Sequence, residues 1–543
     1  MKKLRIFLAA SFLIFVLVGC KKNEEGSSSG GLGTSGFFHA NGNEIVDGYN
    51  KKINLEGVAF GNNVWDDEIP LTHHNEMDYA RVKDMGMNII RFYLNYKIFE
   101  DDSNPYNYKQ TGWDWIDQNI AWAKKYGVFL ILNMHAPQGG YQSQGTGDAL
   151  WTDIENQNRL TALWKAIAQK YKNESQIIGF GLVNEPVPTT DLSQWQQLAQ
   201  RITNEIRTVD KNHIVVVERA IYVKGKPETT DYNFPSISDN NLVYEFHIYD
   251  PFEYTHQLFS WANLGDGGKY PDESILAYSD AEWYTATFNN PQLTIGNSNW
   301  KYFEGIKYKI QDTSIKLAVP VLVGANATGR VYFDKIEINE FDANGNFTRK
   351  VLDLNLDNTS GWGYWSANQS GNSGLSQNTG AGDLNSLFIE NSTGDCNLSN
   401  YGKVFQPIQN YSYQINGWMK GDNIANTANC LLRIDFLKTN SPIQSRNKAY
   451  LSTVVTKYTN WGKSKKRPVY MGEFGAGFYC FQNDKGGLQW VEDMLDISKD
   501  LYLPFTYHAY HEDSFGLYYG YGTLPDPANA NQPLIDLFTE KLQ

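Results

Sequence analysis

Two glutamates each follow a short apolar run and precede a turn residue. Glu185 ends the segment Phe180–Glu185 before Pro186, and Glu473 ends Val469–Glu473 shortly before Gly475. Runs of this length and composition predict buried strands, so each glutamate is expected where a strand passes into a loop. Either one alone is also explained as an ordinary strand exit. Together they predict a pair of reactive carboxyl groups, because barrel enzymes carry their chemistry at such strand ends.

The composition excludes some classes of protein. The chain has 543 residues, which favours two domains rather than one core. Its formal net charge is −13, with 47 basic and 60 acidic residues, and this balance argues against a nucleic-acid partner. Aromatic residues make up 14% of the chain. Their flat faces suit both sugar stacking and core packing.

The amino terminus has the pattern of an exported protein. Basic residues precede an apolar stretch, Ile6–Val18, that is short for a membrane span and typical of a signal peptide. The stretch ends in Leu17-Val18-Gly19-Cys20, which resembles the lipobox of bacterial lipoproteins. That resemblance implies removal of residues 1–19 and a lipid on Cys20. The alternative is a plain signal peptide with an incidental cysteine.

Residues 20–36 are charged and then rich in Gly and Ser, which predicts a flexible tether. Lys21–Glu25 resembles the charged export tract of Bacteroidetes-type surface lipoproteins. We therefore expect an extracytoplasmic protein that a lipid alone holds to the outer membrane or cell surface of a bacterium. The other cysteines, Cys396, Cys430 and Cys480, are too few and too scattered to predict a disulfide framework or a zinc site.

Strand and helix patterns alternate along most of the remaining chain, which predicts an α/β fold, a (β/α)8 TIM barrel. The predicted strands are Ile53–Phe60, Met87–Leu94, Val128–His135, Ile177–Asn184, His213–Glu218, Leu242–His247, Val469–Glu473 and Pro504–Tyr510.

One connection is far too long for this pattern. Roughly 200 residues separate Asp250 from Pro468, whereas a loop and helix need a few tens. This stretch is rich in Asn, Gly, Ser and Thr and contains alternating apolar runs, which predicts an inserted all-β sandwich, jelly-roll-like. The predicted domains are the barrel, 37–264 with 447–543, and the insertion, 265–446.

Motifs at the predicted strand ends resemble those of glycoside hydrolase family 5, the cellulase family of the (β/α)8 clan. They are Ile89-Ile90-Arg91-Phe92, Asn133-Met134-His135, Asn184-Glu185-Pro186, His247-Ile248-Tyr249 and Gly472-Glu473-Phe474-Gly475. They occur in the family's order, at strands two, three, four, six and seven.

The resemblance implies a retaining glycosidase with two carboxyl groups about 5–5.5 Å apart. Glu473 would then be the nucleophile and Glu185 the acid/base. Arg91 and Tyr249 match the residues that keep the nucleophile ionised, and Asn184 matches the ligand of the sugar 2-hydroxyl. His135 and His247 match binding histidines. The alternative for Arg91, His247 and Tyr249 is a purely structural role inside the barrel.

Strand eight departs from the family pattern. The family places a Trp at its end, but this chain has Phe505-Thr506-Tyr507-His508, so His508 or Tyr507 is expected there. This departure puts the substrate in doubt. His508 and His511, with Glu512 and Asp513, are suggestive of a metal site, but the family needs none. We therefore predict no metal and no cofactor.

The insertion resembles jelly-roll carbohydrate-binding modules with their strand order circularly permuted. Gly329–Ile336 resembles their last strands, and Leu352–Trp362 and Asn416–Trp418 their opening strands. Permutation and insertion both require termini that lie close together. The insertion is therefore expected to bind carbohydrate, or alternatively to be a structural wall of the cleft.

The sequence thus predicts a monomeric, lipid-anchored retaining glycoside hydrolase whose partner is a polysaccharide. The leading function is an endo-β-1,4-glucanase. A β-mannanase, a xyloglucanase and a β-1,3-glucanase remain alternatives within the family. A non-catalytic surface glycan-binding lipoprotein is the alternative of another class, and retention of both glutamates argues against it.

Overall fold

The computed structural model describes residues 36–543, except 263, 279–280, 294–295 and 426. Cys20, the predicted signal peptide 1–19 and the predicted tether up to residue 35 lie outside the described residues. Among the helices in the described ranges, none is both long and apolar enough to cross a membrane. Cys396, Cys430 and Cys480 are buried free thiols.

The first half of the chain alternates strands and helices. In order these are β1 (His39–Asn41), β2 (Glu44–Val46), β3 (Glu56–Phe60), α1 (Glu76–Asp84), β4 (Ile89–Asn95), α2 (Gln110–Tyr126), β5 (Phe129–Ala136), α3 (Asp148–Thr152), α4 (Ile154–Tyr171), β6 (Ile177–Gly181), α5 (Leu192–Arg207), β7 (Ile214–Glu218), β8 (Leu242–Ile248) and α6 (Phe252–Thr255).

A long β-rich segment follows. Its strands are β9 (Asp272–Ala277), β10 (Glu282–Ala286), β11 (Lys301–Glu304), β12 (Tyr308–Lys309), β13 (Leu317–Ala325), β14 (Arg330–Phe341), β15 (Phe347–Leu354), β16 (Trp362–Ser366), β17 (Asn372–Gln377), β18 (Asn385–Glu390), β19 (Cys396–Asn400), β20 (Ser412–Asp422), β21 (Asn429–Lys438) and β22 (Gln444–Arg446). The chain ends with α7 (Lys448–Lys465), β23 (Val469–Phe474), α8 (Gly487–Leu501), β24 (Phe505–Tyr507) and α9 (Gln532–Leu542).

Eight parallel strands close into a barrel in the order β23-β24-β3-β4-β5-β6-β7-β8. The predicted (β/α)8 fold is therefore confirmed. The first barrel strand begins three residues later than predicted, at Glu56 instead of Ile53, and two strands end three residues earlier. β6 ends at Gly181 and β24 at Tyr507, whereas strands up to Asn184 and Tyr510 were expected. Glu185 and His508 thus lie on loops beyond the strands.

The helices form an outer layer because each has one apolar face. In α5, Trp195, Leu198 and Ile202 follow the three-to-four-residue spacing of a helix and are buried. The helix begins where the Asp191 side chain accepts a hydrogen bond from the Ser193 amide at 2.8 Å. Its apolar face joins the large cluster that fills the space between strands and helices.

The inside of the barrel changes from apolar to polar along its axis. A small cluster that includes Ile89, Val216 and Val243 fills the interior near the amino ends of the strands. Successive inward positions lie two residues apart on a strand. Two residues after Val216 comes Glu218, and two after Val243 comes Glu245. Polar side chains therefore occupy the carboxyl-end half of the same interior.

The inserted segment folds into antiparallel sheets. One has the order β10-β21-β13-β19-β16, and the other contains β11-β20-β14-β18-β17, with β12 and β15 paired to its strands. A second core lies between them, with Leu322 and Phe436 from the first sheet and Phe333 and Ile415 from the second. These sheets agree with the predicted extra β domain.

The insertion enters and leaves the barrel through a paired stem. β9 and β22 are antiparallel, with Ala277 opposite Gln444. The predicted boundaries at 264/265 and 446/447 stay predictions. Tyr270 and Ala277, on the insertion side of the first boundary, pack in the barrel cluster, and the Tyr270 hydroxyl donates to Asp493 on α8 at 2.6 Å.

Candidate active site

Glu473 and Glu185 lie at the carboxyl-end face of the barrel. Glu473 is the second-last residue of β23, and Glu185 follows the end of β6 by four residues. Both point toward His247, which lies near the end of β8. The structure therefore brings the two sequence-predicted carboxyl groups into one site, at the face where such barrels place their chemistry.

Glu473 is almost completely buried and surrounded by donors. Its Oε1 accepts hydrogen bonds from Arg91 Nη1 and from the Tyr93 hydroxyl, each at 2.6 Å. Its Oε2 accepts one from the Tyr249 hydroxyl at 2.8 Å. Three donors on one carboxyl group favour the ionised form, which can only accept.

The charges around Glu473 act in the same direction. Burial alone would raise the pKa of Glu473, but the positive charges of His247, His508 and Arg91 outweigh it and hold this pKa well below the ordinary value of 4.5. The carboxylate is therefore ionised throughout the neutral range and available as a nucleophile.

Glu185 has different neighbours. Its φ angle is +44°, in the left-handed region that non-glycine residues rarely adopt. The backbone N–H of Glu185 donates to Glu218 Oε2 at 2.9 Å, which holds this conformation. Its Oε1 lies 3.0 Å from His247 Nδ1. The side chain is 17% exposed, so it can be reached from the cleft.

The shared contact with His247 limits the distance between the two carboxyl groups. His247 Nδ1 lies 3.0 Å from Glu185 Oε1 and 3.5 Å from Glu473 Oε2, so these oxygens are at most about 6.5 Å apart. Inverting glycosidases separate their carboxyl groups by about 6.5–9.5 Å and retaining ones by about 5–5.5 Å. The arrangement fits the retaining spacing.

A buried network of charged side chains in the barrel interior contacts Glu185 and Glu473. Arg91 is fully buried and lies 2.6 Å from Glu245 Oε1 through its Nε. His247 Nε2 lies 3.4 Å from Glu245 and 3.5 Å from Glu218. Burial lowers the pKa of His247, but the charges of Glu218 and Glu473 reverse this and raise it well above 6.5. Arg91 and His247 are thus cations that lie between the four glutamates Glu185, Glu218, Glu245 and Glu473.

Glu218 is buried, but its pKa is shifted in the opposite direction from that of Glu473. Burial raises its pKa well above 4.5, although the charge of His247 opposes this. Two carboxyl groups in one site, one held ionised and one pushed toward the neutral form, reduce the repulsion that four anions would produce.

The remaining predicted residues are also in the site. Asn184 Oδ1 accepts a hydrogen bond from Arg91 Nη2 at 2.9 Å. His135 stacks on Tyr93, with ring centroids 3.8 Å apart. Burial lowers the pKa of His135 well below 6.5. The neutral imidazole therefore supports Tyr93, and it contacts the Tyr141 hydroxyl at 2.8 Å.

At strand eight, His508 rather than Tyr507 faces the site. His508 Nδ1 lies 2.9 Å from the Tyr93 hydroxyl and 4.0 Å from Glu473 Oε2. Tyr507 is fully buried in the cluster between strands and helices. His511 is directed elsewhere, since its Nδ1 lies 2.9 Å from the carbonyl oxygen of His73.

Sequence reasoning missed three residues of the site: Tyr93, Glu218 and Glu245. Each lies on a predicted strand at an inward position. Tyr93 is two residues after Arg91, Glu245 is two before His247, and Glu218 ends β7. The two-residue period of a strand was the signal that could have found them.

Glu185, Glu218 and His247 are a set of three side chains whose ligand atoms lie within 4.8 Å of one another, as a metal site requires. The residues present fit a cation poorly, because the raised pKa of His247 keeps a proton on both ring nitrogens, whereas a metal ligand must offer a lone pair. The absence of a metal stays a prediction.

Comparison with known proteins gives a family match. The model of the cellulase family, glycosyl hydrolase family 5, matches residues 46–371. This range includes Arg91, His135, Asn184–Glu185 and His247–Tyr249, while Glu473 and His508 lie beyond it.

Individual relatives agree with this match. Endoglucanase C of Acetivibrio thermocellus is 32% identical over 258 residues, which cover 46% of this chain and 68% of the relative. Cellodextrinase A of Ruminococcus flavefaciens is 27% identical over 217 residues, covering 39% and 63%. A solved endoglucanase structure from Thermotoga maritima aligns with a TM-score of 0.47 at 14% identity, over 89% of this chain and 96% of that one. With the barrel and its paired glutamates, the family match shows that the chain is a glycoside hydrolase and belongs to glycosyl hydrolase family 5.

Proposed function

We propose that this protein is a retaining endo-β-1,4-glucanase in which Glu473 is the nucleophile and Glu185 the acid/base. The observation that carries the proposal is the contact of His247 Nδ1 with both carboxyl groups, at 3.0 Å and 3.5 Å. It limits the distance between the two carboxyl oxygens to at most about 6.5 Å, the shortest separation that inverting enzymes use to admit a water molecule, and this supports retention.

The two glutamates act in sequence. Glu473 attacks the anomeric carbon as the bond from that carbon to the leaving oxygen breaks, and Glu185 gives its proton to the leaving oxygen. Glu185 then takes a proton from water, whose oxygen displaces Glu473 from the anomeric carbon. Two inversions at one carbon restore its configuration. Arg91, Tyr93 and Tyr249 stabilise Glu473 as its charge returns.

A β-1,4-glucan is the leading substrate because relatives such as those from Acetivibrio thermocellus and Paenibacillus polymyxa are named endoglucanases. Exposed aromatic residues near the site, Trp65, Phe252 and Trp261, offer stacking faces for sugar rings. Mannan, xyloglucan and β-1,3-glucan stay alternatives, and one relative is named a glucan 1,3-β-glucosidase.

A panel of soluble and insoluble polysaccharides tests this function. We expect internal cleavage of β-1,4-glucan, seen as a rapid fall in viscosity with few new reducing ends, and a product that first appears as the β-anomer by NMR. An α-anomer would contradict the retaining mechanism. Cleavage of mannan or β-1,3-glucan alone would contradict the substrate.

We further propose that the insertion binds glycan on the outer face of its five-stranded sheet. Trp283 on β10 and Trp365 on β16 are 51% and 54% exposed. Trp283 lies opposite Leu437, whose side chain belongs to the cluster on the outer side of this sheet. On β16, Trp362 packs in the core between the sheets, so Trp365, three residues on, faces outward.

The two Trp residues are at opposite edges of the sheet and are also offset by six residues along the strands, since Trp283 lies in the row of Leu437 and Trp365 in the row of Leu431. With strands spaced about 4.8 Å and a rise of about 3.3 Å per residue, they are about 28 Å apart. Between them lies the pair Arg433 and Asp435, joined at 2.6 Å, and Trp283 Nε1 donates to Asp435 at 3.1 Å. The apolar residues on this face, such as Val319 and Val321, are buried. The exposed aromatic faces of the two Trp residues are therefore what this side of the sheet offers to an uncharged, polyhydroxylated chain.

Binding to insoluble cellulose by the full-length protein with Glu473→Gln, which cannot turn over, tests this surface. Trp283→Ala with Trp365→Ala should weaken binding by about tenfold or more, since loss of an aromatic anchor costs over about 1 kcal/mol. The matched control is Tyr302→Ala with Trp418→Ala, a ring pair 5.5 Å apart on the other sheet. Equal binding by the two double variants would contradict the proposed face.

The proposed location is outside the cytoplasm, with a lipid on Cys20. The lipobox pattern and the Gly/Ser-rich residues after it support this proposal. Cys20→Ser should move the protein from the membrane fraction to the soluble fraction of a bacterium that processes lipoproteins. A variant that stays in the membrane fraction to the same extent would contradict it.

A further inference from the structure

The Tyr93 hydroxyl has two close partners but only one proton. It lies 2.6 Å from Glu473 Oε1 and 2.9 Å from His508 Nδ1. An ionised carboxylate can only accept, so the proton of Tyr93 is donated to Glu473. The Tyr93 oxygen must then accept from His508, which therefore carries a proton on Nδ1.

The other nitrogen of His508 faces a carboxyl group that the mechanism does not use. His508 Nε2 lies 3.5 Å from Glu512 Oε1. That oxygen also accepts a hydrogen bond from the Phe515 amide at 3.0 Å, which fixes its position. The order of groups is thus Glu512, His508, Tyr93, Glu473. The His508 side chain is only 12% exposed.

We propose that His508, held by Glu512, is a positioning residue whose protonation keeps the Tyr93 hydroxyl directed at the nucleophile Glu473. This inference rests on the proposed role of Glu473. It assigns a task to Glu512 and to Tyr93, and it makes the orientation of one nucleophile donor depend on a histidine outside the acid/base pair.

Glu512 determines which ring nitrogen keeps its proton when His508 becomes neutral. A neutral imidazole keeps one N–H, and beside a carboxylate that N–H stays on Nε2. Nδ1 then becomes an acceptor that competes with Glu473 for the single proton of Tyr93. Deprotonation of His508 therefore turns a donor away from the nucleophile, and activity should fall with it.

Other ionisable groups also act on His508. Burial lowers the pKa of His508, but the charges of Glu512 and Glu473 outweigh burial and raise it above 6.5. The groups that face it are Glu512 on its own segment, Glu473 on β23, Arg91 and Tyr93 on β4, His135 on β5, and Tyr249 and His256 after β8. The single positive neighbour that opposes its protonation most is Arg91.

Two variants should shift the pH dependence of activity in opposite directions. Both variants are assayed on a dinitrophenyl glycoside, whose leaving group needs no proton from Glu185, so that ionisation of Glu185 does not set the alkaline limb. Glu512→Gln removes the negative charge beside His508, so the alkaline limb of kcat/KM should move to lower pH by about one unit. In His508→Asn, the amide can donate to Tyr93 at any pH, so the limb due to His508 should disappear and activity should extend to higher pH. The matched control is Asp513→Asn, an exposed acid next in the chain, which should leave the limb in place.

A measurement that does not use turnover separates this inference from the proposed function. Nitrogen-15 NMR of the full-length protein should show His508 titrating above 6.5 and, in Glu512→Gln, about one unit lower. Thermal melting checks that each variant is folded. An unchanged alkaline limb in folded Glu512→Gln, or the parental limb in folded His508→Asn, would overturn the proposal, as would a His508 that titrates alike in parent and Glu512→Gln.

Discussion

Glu473 and Glu185 share one neighbour, His247, but differ in the other groups that contact them. Glu473 receives three donors from β4 and from the loop after β8. Glu185 receives one contact from His247 and projects toward the cleft from a backbone in the left-handed region. The first environment stabilises an anion, and the second leaves a side chain free to exchange a proton with substrate and water.

This difference predicts how the two glutamine variants respond to the leaving group. Glu473→Gln should lose several orders of magnitude in kcat on every substrate, because no bond to the anomeric carbon can form. Glu185→Gln should lose as much on a polysaccharide but much less in the first step on a dinitrophenyl glycoside, whose leaving group needs no proton. Steady-state and burst kinetics measure both. Equal losses by Glu185→Gln on both substrates would contradict its role as the acid.

The lowered pKa of Glu473 predicts the acidic limb of kcat/KM. The carboxylate must be ionised, and it stays so below pH 4.5, so the acidic limb should lie below this value. Tyr249→Phe removes a donor to the charged form. The pKa of Glu473 should therefore rise, and the limb should move to higher pH by less than about one unit.

The control for this variant is Tyr507→Phe, whose hydroxyl lies 3.4 Å from the Ala476 carbonyl oxygen, away from Glu473. Its limb should match that of the parent. An acidic limb above pH 4.5 in the parent, or coincident limbs for parent and Tyr249→Phe, would argue against this account of the nucleophile.

At the scale of strands and helices, the site depends on which residues face inward. Arg91 and Tyr93 on β4 and Glu245 and His247 on β8 follow the two-residue period, above the apolar layer that begins with Ile89 and Val243. Closure of the sheet then brings strands distant in sequence together. β23 lies beside β8, which places Glu473 next to His247.

The alternation of apolar runs was enough to predict eight strands and their order. It was not enough to identify Glu218 and Glu245, because charged residues are mostly exposed, and a glutamate in a strand therefore suggests a solvated position. Their burial depends on the closure of the barrel around Arg91 and His247, which local sequence does not contain. Strand eight was predicted to end at Tyr510, but it ends at Tyr507. Ala509 and Tyr510 are buried like strand residues, so the local sequence does not show where the strand stops.

Gly472 predicts a further constraint at this scale. A Cβ at this position would lie 1.7 Å from Glu245 Oε1, in the space that the carboxylate uses to reach Arg91. Gly472→Ala should lower the free energy of unfolding by about 2–4 kcal/mol, because it overpacks the interior and displaces a buried ion pair. Gly363→Ala is the control. Gly363 is exposed, and a Cβ there would lie 3.9 Å from the nearest atom, the carbonyl oxygen of Ser399. Denaturant unfolding of both variants measures the difference, and equal stability would contradict this packing.

At the scale of the whole molecule, the barrel and the sandwich have separate cores, and the paired strands β9 and β22 connect them. The barrel has its own clusters, and the sandwich has another between its two sheets. The sequence predicted an insertion after strand six because no loop is so long. It did not predict that Tyr270 packs against α8, since one apolar residue in a polar linker gives no periodic signal.

The paired stem predicts where the insertion can be removed. Ala277 of β9 lies opposite Gln444 of β22. Replacing residues 278–443 by Asn-Gly should therefore close the stem as a two-residue hairpin and leave Tyr270 in place. We expect a folded barrel, with activity on cello-oligosaccharides close to that of the parent and lower activity on insoluble cellulose, because a tethered binding surface raises the local concentration of polymer.

The full-length Trp283→Ala, Trp365→Ala variant is the matched control and should lose activity on cellulose to a similar degree. A deletion protein as active as the parent on cellulose would show that the sandwich has no part in polymer binding, and an unfolded one would show that the barrel needs it as a structural wall.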